Sequence, residues 1–362
     1  MQKKFGSPAQ VVLFSKRMSK VFSQVNFPVC LAPMVGISHV AVRRLLRDYL
    51  PPGAVTLWPT EMLNSRKLPK EDVGNTAETK RLENEELLVP QILGNEEGAI
   101  AESVKRLEAW GAHGIDINMG CPVQKALKHN YGVALMGDSD YAAKVVEMTV
   151  RNTNLPVSVK LRAAGTEQGA DYFYKFTRGL ESAGAAWLTL HPRTGAQKRR
   201  GQADWSQIKS LKQQTKLPVV GNGDIQTWQD VFAMKESTGC DLVMSGRGLA
   251  ARPWMLWQIG EKLGWANPVK MSGRAPQTPS EEGQEYGRAF LSLIDYCEEV
   301  FPEGLALRKL KFYLKTTHVW LDFGHALCSV ASTCHDIPTL RTKVKDFFQQ
   351  DIQMIGFTEL RQ

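Results

Sequence analysis

The residues in this chain best placed to do chemistry lie in the run "HGIDINMGCPVQK", residues 113–125. Cys121 sits there on a Gly-Cys-Pro turn, three residues after Asn118, where an apolar strand-like stretch ends. A structural cysteine is better accommodated inside a strand. A thiol on an accessible turn beside an amide suits proton transfer or attack on a substrate, and an ordinary thiol is mostly protonated at neutral pH, as an acid must be.

Other runs end in equally usable groups. In "PVSVKLR", strand alternation puts Lys160 on the same side as Ser158 and Arg162. A lysine inside a fold is costly unless it meets negative charge. It either faces an anionic ligand, such as a reduced flavin near N1 and O2, or reaches the rim or pairs with a carboxylate such as Asp116. Gln91 and His191 also close apolar runs and could hydrogen-bond a flat cofactor, although a histidine there is as often structural. "GNGDI" (221–225) and "SGRG" (245–248) place small residues where helices would begin. Backbone N–H groups in such turns bind phosphate, and glycine lets it approach. One terminal phosphate, as in flavin mononucleotide (FMN), suits the pair better than a dinucleotide does. The alternative is two ordinary tight turns.

These residues need a scaffold that brings strand ends together. Between residues 29 and 248, eight apolar runs occur: 29–34, 54–62, 87–93, 114–118, 156–162, 187–193, 217–224 and 241–248. Helix-length segments separate most of them; in 96–111, Ile100, Val104, Leu107 and Trp110 recur at helical spacing. Eight βα units in this length predict an α/β fold of the closed (β/α)8 barrel type, with an open doubly wound sheet as the alternative. In a barrel every C-terminal strand end opens on one mouth. The endings here are Pro33-Met34, Glu61, Gln91, Asn118 to Cys121, Lys160 with Arg162, His191 with Arg193, Asn222 to Asp224, and Gly246 to Gly248.

The expected organisation is a basic extension over 1–28, a catalytic barrel over 29–266, a Pro/Gly/Ser-rich linker over 267–280 and a helical domain over 281–362. Within the last, 281–300, 305–320 and 339–355 read as helices. Leu307, Leu310 and Leu314 form one stripe of "LALRKLKFYLK", and Arg308, Lys311 and Lys315 form a basic stripe beside it. That is either an ordinary surface helix or one that grips a phosphate backbone, with Phe312, Tyr313 and Trp320 nearby.

Residues 281–362 hold 9 Lys/Arg against 12 Asp/Glu, so the positive charge of the chain, +8 in all, belongs to the first 280 residues. Clusters lie before Pro28, at Arg43, Arg44 and Arg47, and at Lys198 to Arg200. Together they suggest a polyanionic partner, although any one cluster reads as a solvated face. Apolar content of 43% is ordinary for a globular protein, and no apolar run is long enough to span a membrane. The N-terminus lacks the apolar core and cleavage site of a signal peptide, so a cytoplasmic location is expected. Six scattered cysteines without CxxC spacing fit reduced thiols. Cys328 and Cys334 with His325 and His335 match no zinc spacing, and no metal is expected.

Taken in order, "LAPM", "TEM", "QILG", "NMGCP", "SVKLR", "HPRT", "VVGNGDI" and "SGRG" resemble the tRNA-dihydrouridine synthases of bacterial type, from about residue 29 to 257. Asn-x-Gly-Cys-Pro is the specific element; "APM" and "GRG" are shared with other FMN barrels. The helical segment is similar more loosely, and the first 25 or so residues have no counterpart.

The resemblance implies that FMN is held by Pro33, Met34, Val35, Gln91, Lys160 and His191, with its phosphate on Asn222, Gly223, Asp224, Gly246 and Arg247. It implies reduction of the flavin by NADPH and a uridine flipped out of tRNA, its edge read by Asn118 and Arg193. Hydride then passes from flavin N5 to C6, and Cys121 protonates C5. Saturating C5=C6 requires a hydride and a proton at opposite ends of the bond, so the thiol would serve as acid and not as nucleophile. Extruding the base costs a few kcal/mol, which a basic surface could offset. The oligomeric state is open in the sequence, with a monomer bound to one tRNA the expected form. The alternative is an FMN enzyme acting on a free pyrimidine, which would need neither the basic clusters nor the added helices.

Overall fold

The computed structural model describes residues 21–164, 169–198 and 200–359. The basic residues of the N-terminal extension, Lys3 to Lys20, and Arg199 lie outside that set. Eight strands form one parallel sheet in the order β1-β8-β7-β6-β5-β4-β3-β2. They are β1 Val29–Leu31, β2 Trp58–Asn64, β3 Leu88–Leu93, β4 Ile115–Met119, β5 Val157–Arg162, β6 Leu188–His191, β7 Val219–Asn222 and β8 Leu242–Ser245. Each overlaps one of the eight apolar runs, although β2 continues past the expected ending at Glu61 to Asn64. β1 and β2 close the ring without a ladder: Thr56 Oγ1 donates to Val29 O at 2.7 Å, and the N–H groups of Asn26 and Phe27 both reach Val55 O at 3.1 Å. The fold is a nearly closed (β/α)8 barrel with further helices after it.

Alternation sorts the strands into two cores. Val157, Val159 and Leu161 of β5 face outward and join the large cluster under the helices. Ser158, Lys160 and Arg162 face inward. Cys30, Val89, Val220, Leu242 and Met244 fill the lower interior, closed below by Val21 and by Phe22, whose ring centroid lies 5.9 Å from that of Trp187. Only the upper interior is polar, so the polar side chains gather at the mouth.

The outer helices bury the faces that periodicity predicts. Helix α1 (Val40–Asp48) buries Val40, Ala41, Val42, Leu45 and Leu46. Helix α2 (Glu97–Ala109) buries Ile100, Val104 and Leu107. Truncating any of these leucines to Ala would cost about 2–5 kcal/mol. The Arg43, Arg44 and Arg47 cluster is largely engaged within the protein, with Arg44 and Arg47 only partly exposed. Arg43 is fully buried in a two-bond pair with Glu85 at 2.7 and 2.8 Å. Arg44 pairs with Glu299, and Arg47 lies over the Trp58 ring at 4.4 Å.

Beyond the barrel, α3 (Pro279–Val300) starts with a capping box, in which Thr278 and Glu281 each satisfy the other's backbone N–H. It is followed by α4 (Glu303–Thr317), α5 (Gly324–Thr333) and α6 (Ile337–Phe347). Helix α5 was not expected from the sequence, and the expected helix over 339–355 ends at Phe347. The chain then runs extended so that Ile352 and Met354 are buried, with Met354 N–H bonded to Pro279 O at 2.9 Å.

These helices are welded to the barrel. Glu282 of α3 accepts from Arg252 (3.3 Å) and Trp254 (3.1 Å). Tyr313 and Trp320, expected near RNA, belong to the core. The Tyr313 hydroxyl donates to Ala250 O at 2.5 Å, and the Trp320 indole donates to Gln226 Oε1 at 2.8 Å. Leu307, Leu310 and Leu314 form the buried stripe as expected. Among the described residues no helix is long and apolar enough to cross a membrane.

Candidate active site

The turn after β4 is clamped from three sides. Asn118 Oδ1 accepts the N–H of Gly120 at 3.1 Å and of Cys121 at 2.9 Å, the local bonding that makes asparagine a turn former. Arg162, at the end of β5, donates from Nε to Gly120 O at 2.8 Å. From the far side, Val133 N–H reaches Cys121 O at 3.1 Å. Gly132 makes that approach possible: its φ is +58°, and a Cβ there would sit 2.5 Å from Cys121 O. Cys121 is partly exposed and packs beside Leu93, Met62 and Tyr131. With its N–H and C=O both bonded, its backbone is held in place at the mouth.

Lys160 stands one strand away, paired in register with Asn118. Its Nζ donates to Asn222 Oδ1 at 3.0 Å, and Asn222 Nδ2 ties β7 to Met244 O at 2.8 Å. That bond, to a neutral oxygen, is the only one Lys160 makes among the described residues. Burial, then the neighbouring Arg162, lowers the Lys160 ammonium to about 8, while Asp116 pulls it back up. It does not pair with Asp116, whose oxygens are taken by Ser158 and Gln91 at 2.6 and 2.7 Å.

His191, at the end of β6, is held well below its usual pKa by burial and then by Lys160, Arg162, Arg193 and Arg247. Those four cations around one ring describe the electrostatics of the mouth. Arg193 lies 3.1 Å from His191 Nε2. A guanidinium only donates, so Nε2 accepts and the ring proton sits on Nδ1. Arg193 also donates to Gly201 O and Asp224 Oδ1, both at 2.6 Å. Its buried Nε has no hydrogen-bond partner among the described residues.

Gly223 (φ +125°) and Asp224 (φ +58°) form a tight turn after β7, pinned by Trp205 Nε1 on Gly223 O at 3.0 Å and by Ala203 N–H on Asp224 Oδ2 at 2.6 Å. Gly246 lies at the start of the short helix Arg247–Ala251, close to Met34, whose Sδ would be 3.2 Å from a Cβ on that glycine. Pro33 to Val35 follow β1, with Val35 60% exposed. The barrel therefore brings together at one mouth all the sequence-expected residues of strands β1 and β3 to β8.

Of the basic stripe on α4, Arg308 and Lys315 are exposed, and Lys311 bonds to Ser332 O at 3.0 Å. Two residues of the site were missed by sequence reasoning. Arg162 was read only as a neighbour of Lys160, yet it holds the Cys121 turn. Lys309 was not singled out, because its partner Glu61 is 248 residues away in sequence. Among the described residues no group of three or more His, Cys, Asp or Glu could hold a metal, and all six cysteines are free.

The molecule is a (β/α)8 barrel whose mouth gathers a partly exposed thiol, a buried lysine and several arginines. The dihydrouridine synthase family matches residues 30–309, and the chain belongs to that family of oxidoreductases. A probable tRNA-dihydrouridine synthase of Rickettsia conorii is 32% identical over 90% of this chain and 94% of its own length. One of Synechocystis is 32% identical over 84% and 88%. One of Mycobacterium tuberculosis is 36% identical over 64% and 61%.

Proposed function

We propose that this protein reduces the C5=C6 bond of a uridine in tRNA to 5,6-dihydrouridine, with FMN as cofactor and NADPH as reductant. The observation that carries this reading is the thiol of Cys121, on a clamped turn one strand away from the buried Lys160, whose ammonium meets only the neutral Asn222 oxygen. The residues present fit an anionic cofactor: Lys160 meets only a neutral oxygen, and a tight turn after β7 and the start of the short helix after β8 stand at the same mouth. Bound FMN would supply the hydride to C6 of the uracil.

The chain supplies the rest. Lys160 offers positive charge to the cofactor, and Gln91 and His191 offer hydrogen bonds. Pro33, Met34 and Val35 flank the cofactor, and the turns Asn222-Gly223-Asp224 and Gly246-Arg247 take its phosphate. Asn118, through its second amide N–H, and Arg193, through Nε, address the edge of the base. Cys121 gives its proton to C5. Arg308, Lys311 and Lys315 on α4 engage the RNA backbone, and one cytoplasmic monomer binds one tRNA.

The test is to purify the protein, release and identify its chromophore by mass, and supply NADPH with either unmodified tRNA or free uracil. FMN and dihydrouridine in tRNA alone are expected. A colourless protein, or efficient reduction of free uracil, would contradict the proposal.

A further inference from the structure

Four side chains inside the barrel form one hydrogen-bonded line that ends on the turn of Cys121. Ser158 Oγ donates to Asp116 Oδ1 at 2.6 Å, and Gln91 Nε2 donates to Asp116 Oδ2 at 2.7 Å. Asn118 Nδ2 donates to Gln91 Oε1 at 2.7 Å. Asn118 Oδ1 then accepts the two turn N–H groups. The strands set this line: Gln91 pairs in register with Asp116, and Asp116 with Ser158.

The direction of the line is forced from its far end. Backbone N–H groups only donate, so the Asn118 atom facing the turn must be its oxygen. Its nitrogen therefore faces Gln91, which must present an oxygen, and the Gln91 nitrogen in turn needs an acceptor. Asp116, buried and with both oxygens engaged, is that acceptor. Each amide keeps one further N–H, and that of the partly exposed Asn118 is the donor left for the mouth.

We propose that Asp116 is a positioning residue for Cys121: it fixes the orientation of the Gln91 and Asn118 amides and thereby the turn that carries the thiol. Resting on the proposed function, the line also makes the site one for a base with a carbonyl at that edge. Without Asp116, the Gln91 amide can reverse, its nitrogen then opposes that of Asn118, and Asn118 loses its hold on the turn. Asparagine at this position would preserve the polarity, because its oxygen can face Gln91 while its nitrogen donates to Ser158 Oγ, whose hydroxyl can turn to accept.

The test compares Asp116→Ala and Asp116→Asn in a Cys328→Ser background, where Cys121 is the one cysteine that is not buried. Alkylation of Cys121 by iodoacetamide, followed across neutral and alkaline pH, reports the turn without any need for activity. Loss of one turn hydrogen bond should raise the rate at least about fivefold in Asp116→Ala, with Asp116→Asn close to the parent. With tRNA, Asp116→Ala should lower kcat and leave KM nearly unchanged. If Asp116→Ala does not fold, Asp116→Ser, too short to reach Gln91, replaces it. Unchanged alkylation in the Ala and Ser variants, or an Asn variant as altered as the Ala one, would overturn the proposal. The expected alkylation pattern in a protein that makes no dihydrouridine would leave the line standing and remove the proposed function.

Discussion

Lys309 Nζ on α4 lies 2.8 Å from Oε1 of Glu61 in the middle of β2, both side chains buried. The other oxygen of Glu61 accepts Gly36 N–H at 2.7 Å, in the loop that follows Pro33 to Val35. The Phe312 ring covers the same glycine, lying 2.7 Å from where its Cβ would be. One ion pair thus couples the helices outside the barrel to a loop of the mouth. Breaking a buried pair by removing one partner leaves the other charge unmatched, at about 3–5 kcal/mol. Lys309→Met should show that loss in a urea titration, and adding Glu61→Gln should restore part of it. Equal stability of Lys309→Met and the parent would show the pair to be dispensable.

Lys160 gives a pH dependence of defined sign. Its folded pKa, about 8, lies below the ordinary 10.5, so between these values the unfolded chain holds a proton that the folded one has lost. Stability from this group therefore rises with pH through that window, and burial of the cation destabilises the ligand-free fold below about 8. Lys160→Met should be the more stable ligand-free protein at neutral pH, with the gain fading in alkaline buffer. Affinity for an anionic cofactor should run the other way, weakening as pH rises past about 8. Thermal melts and flavin titrations at several pH values check both slopes.

The approach of residue 132 to Cys121 predicts a local lesion. Gly132→Ala puts a Cβ 2.5 Å from Cys121 O at a φ of +58°, at a cost of about 1–3 kcal/mol. It should also displace the thiol and reduce turnover. Gly137→Ala meets nothing within 4 Å and should stay within about 0.5 kcal/mol of the parent. Similar effects from the two substitutions would contradict the clamp.

The barrel and most of its mouth were legible because period-2 strands announce both where they end and which residues share a face. Ser158, Lys160 and Arg162 could be placed together on that rule alone. What escaped depends on partners remote in sequence. Arg43 reads as part of a basic cluster until Glu85 is brought against it. Tyr313 and Trp320 read as RNA-facing aromatics until the backbone of Ala250 and the amide of Gln226 receive their polar tips. Helix α5 begins after Phe323 in a left-handed conformation without a side-chain cap, so no start signal marks it.

The central claim is that the Cys121 thiol protonates a uracil in tRNA. Its most direct test is the rate of dihydrouridine formation in unmodified tRNA, quantified after nuclease digestion by mass spectrometry, for the parent protein and Cys121→Ala. The variant should keep its fold, its flavin and its affinity for tRNA while forming product about 10²–10⁴-fold more slowly, the usual weight of a general acid. Product formed at the parental rate by Cys121→Ala would contradict the account.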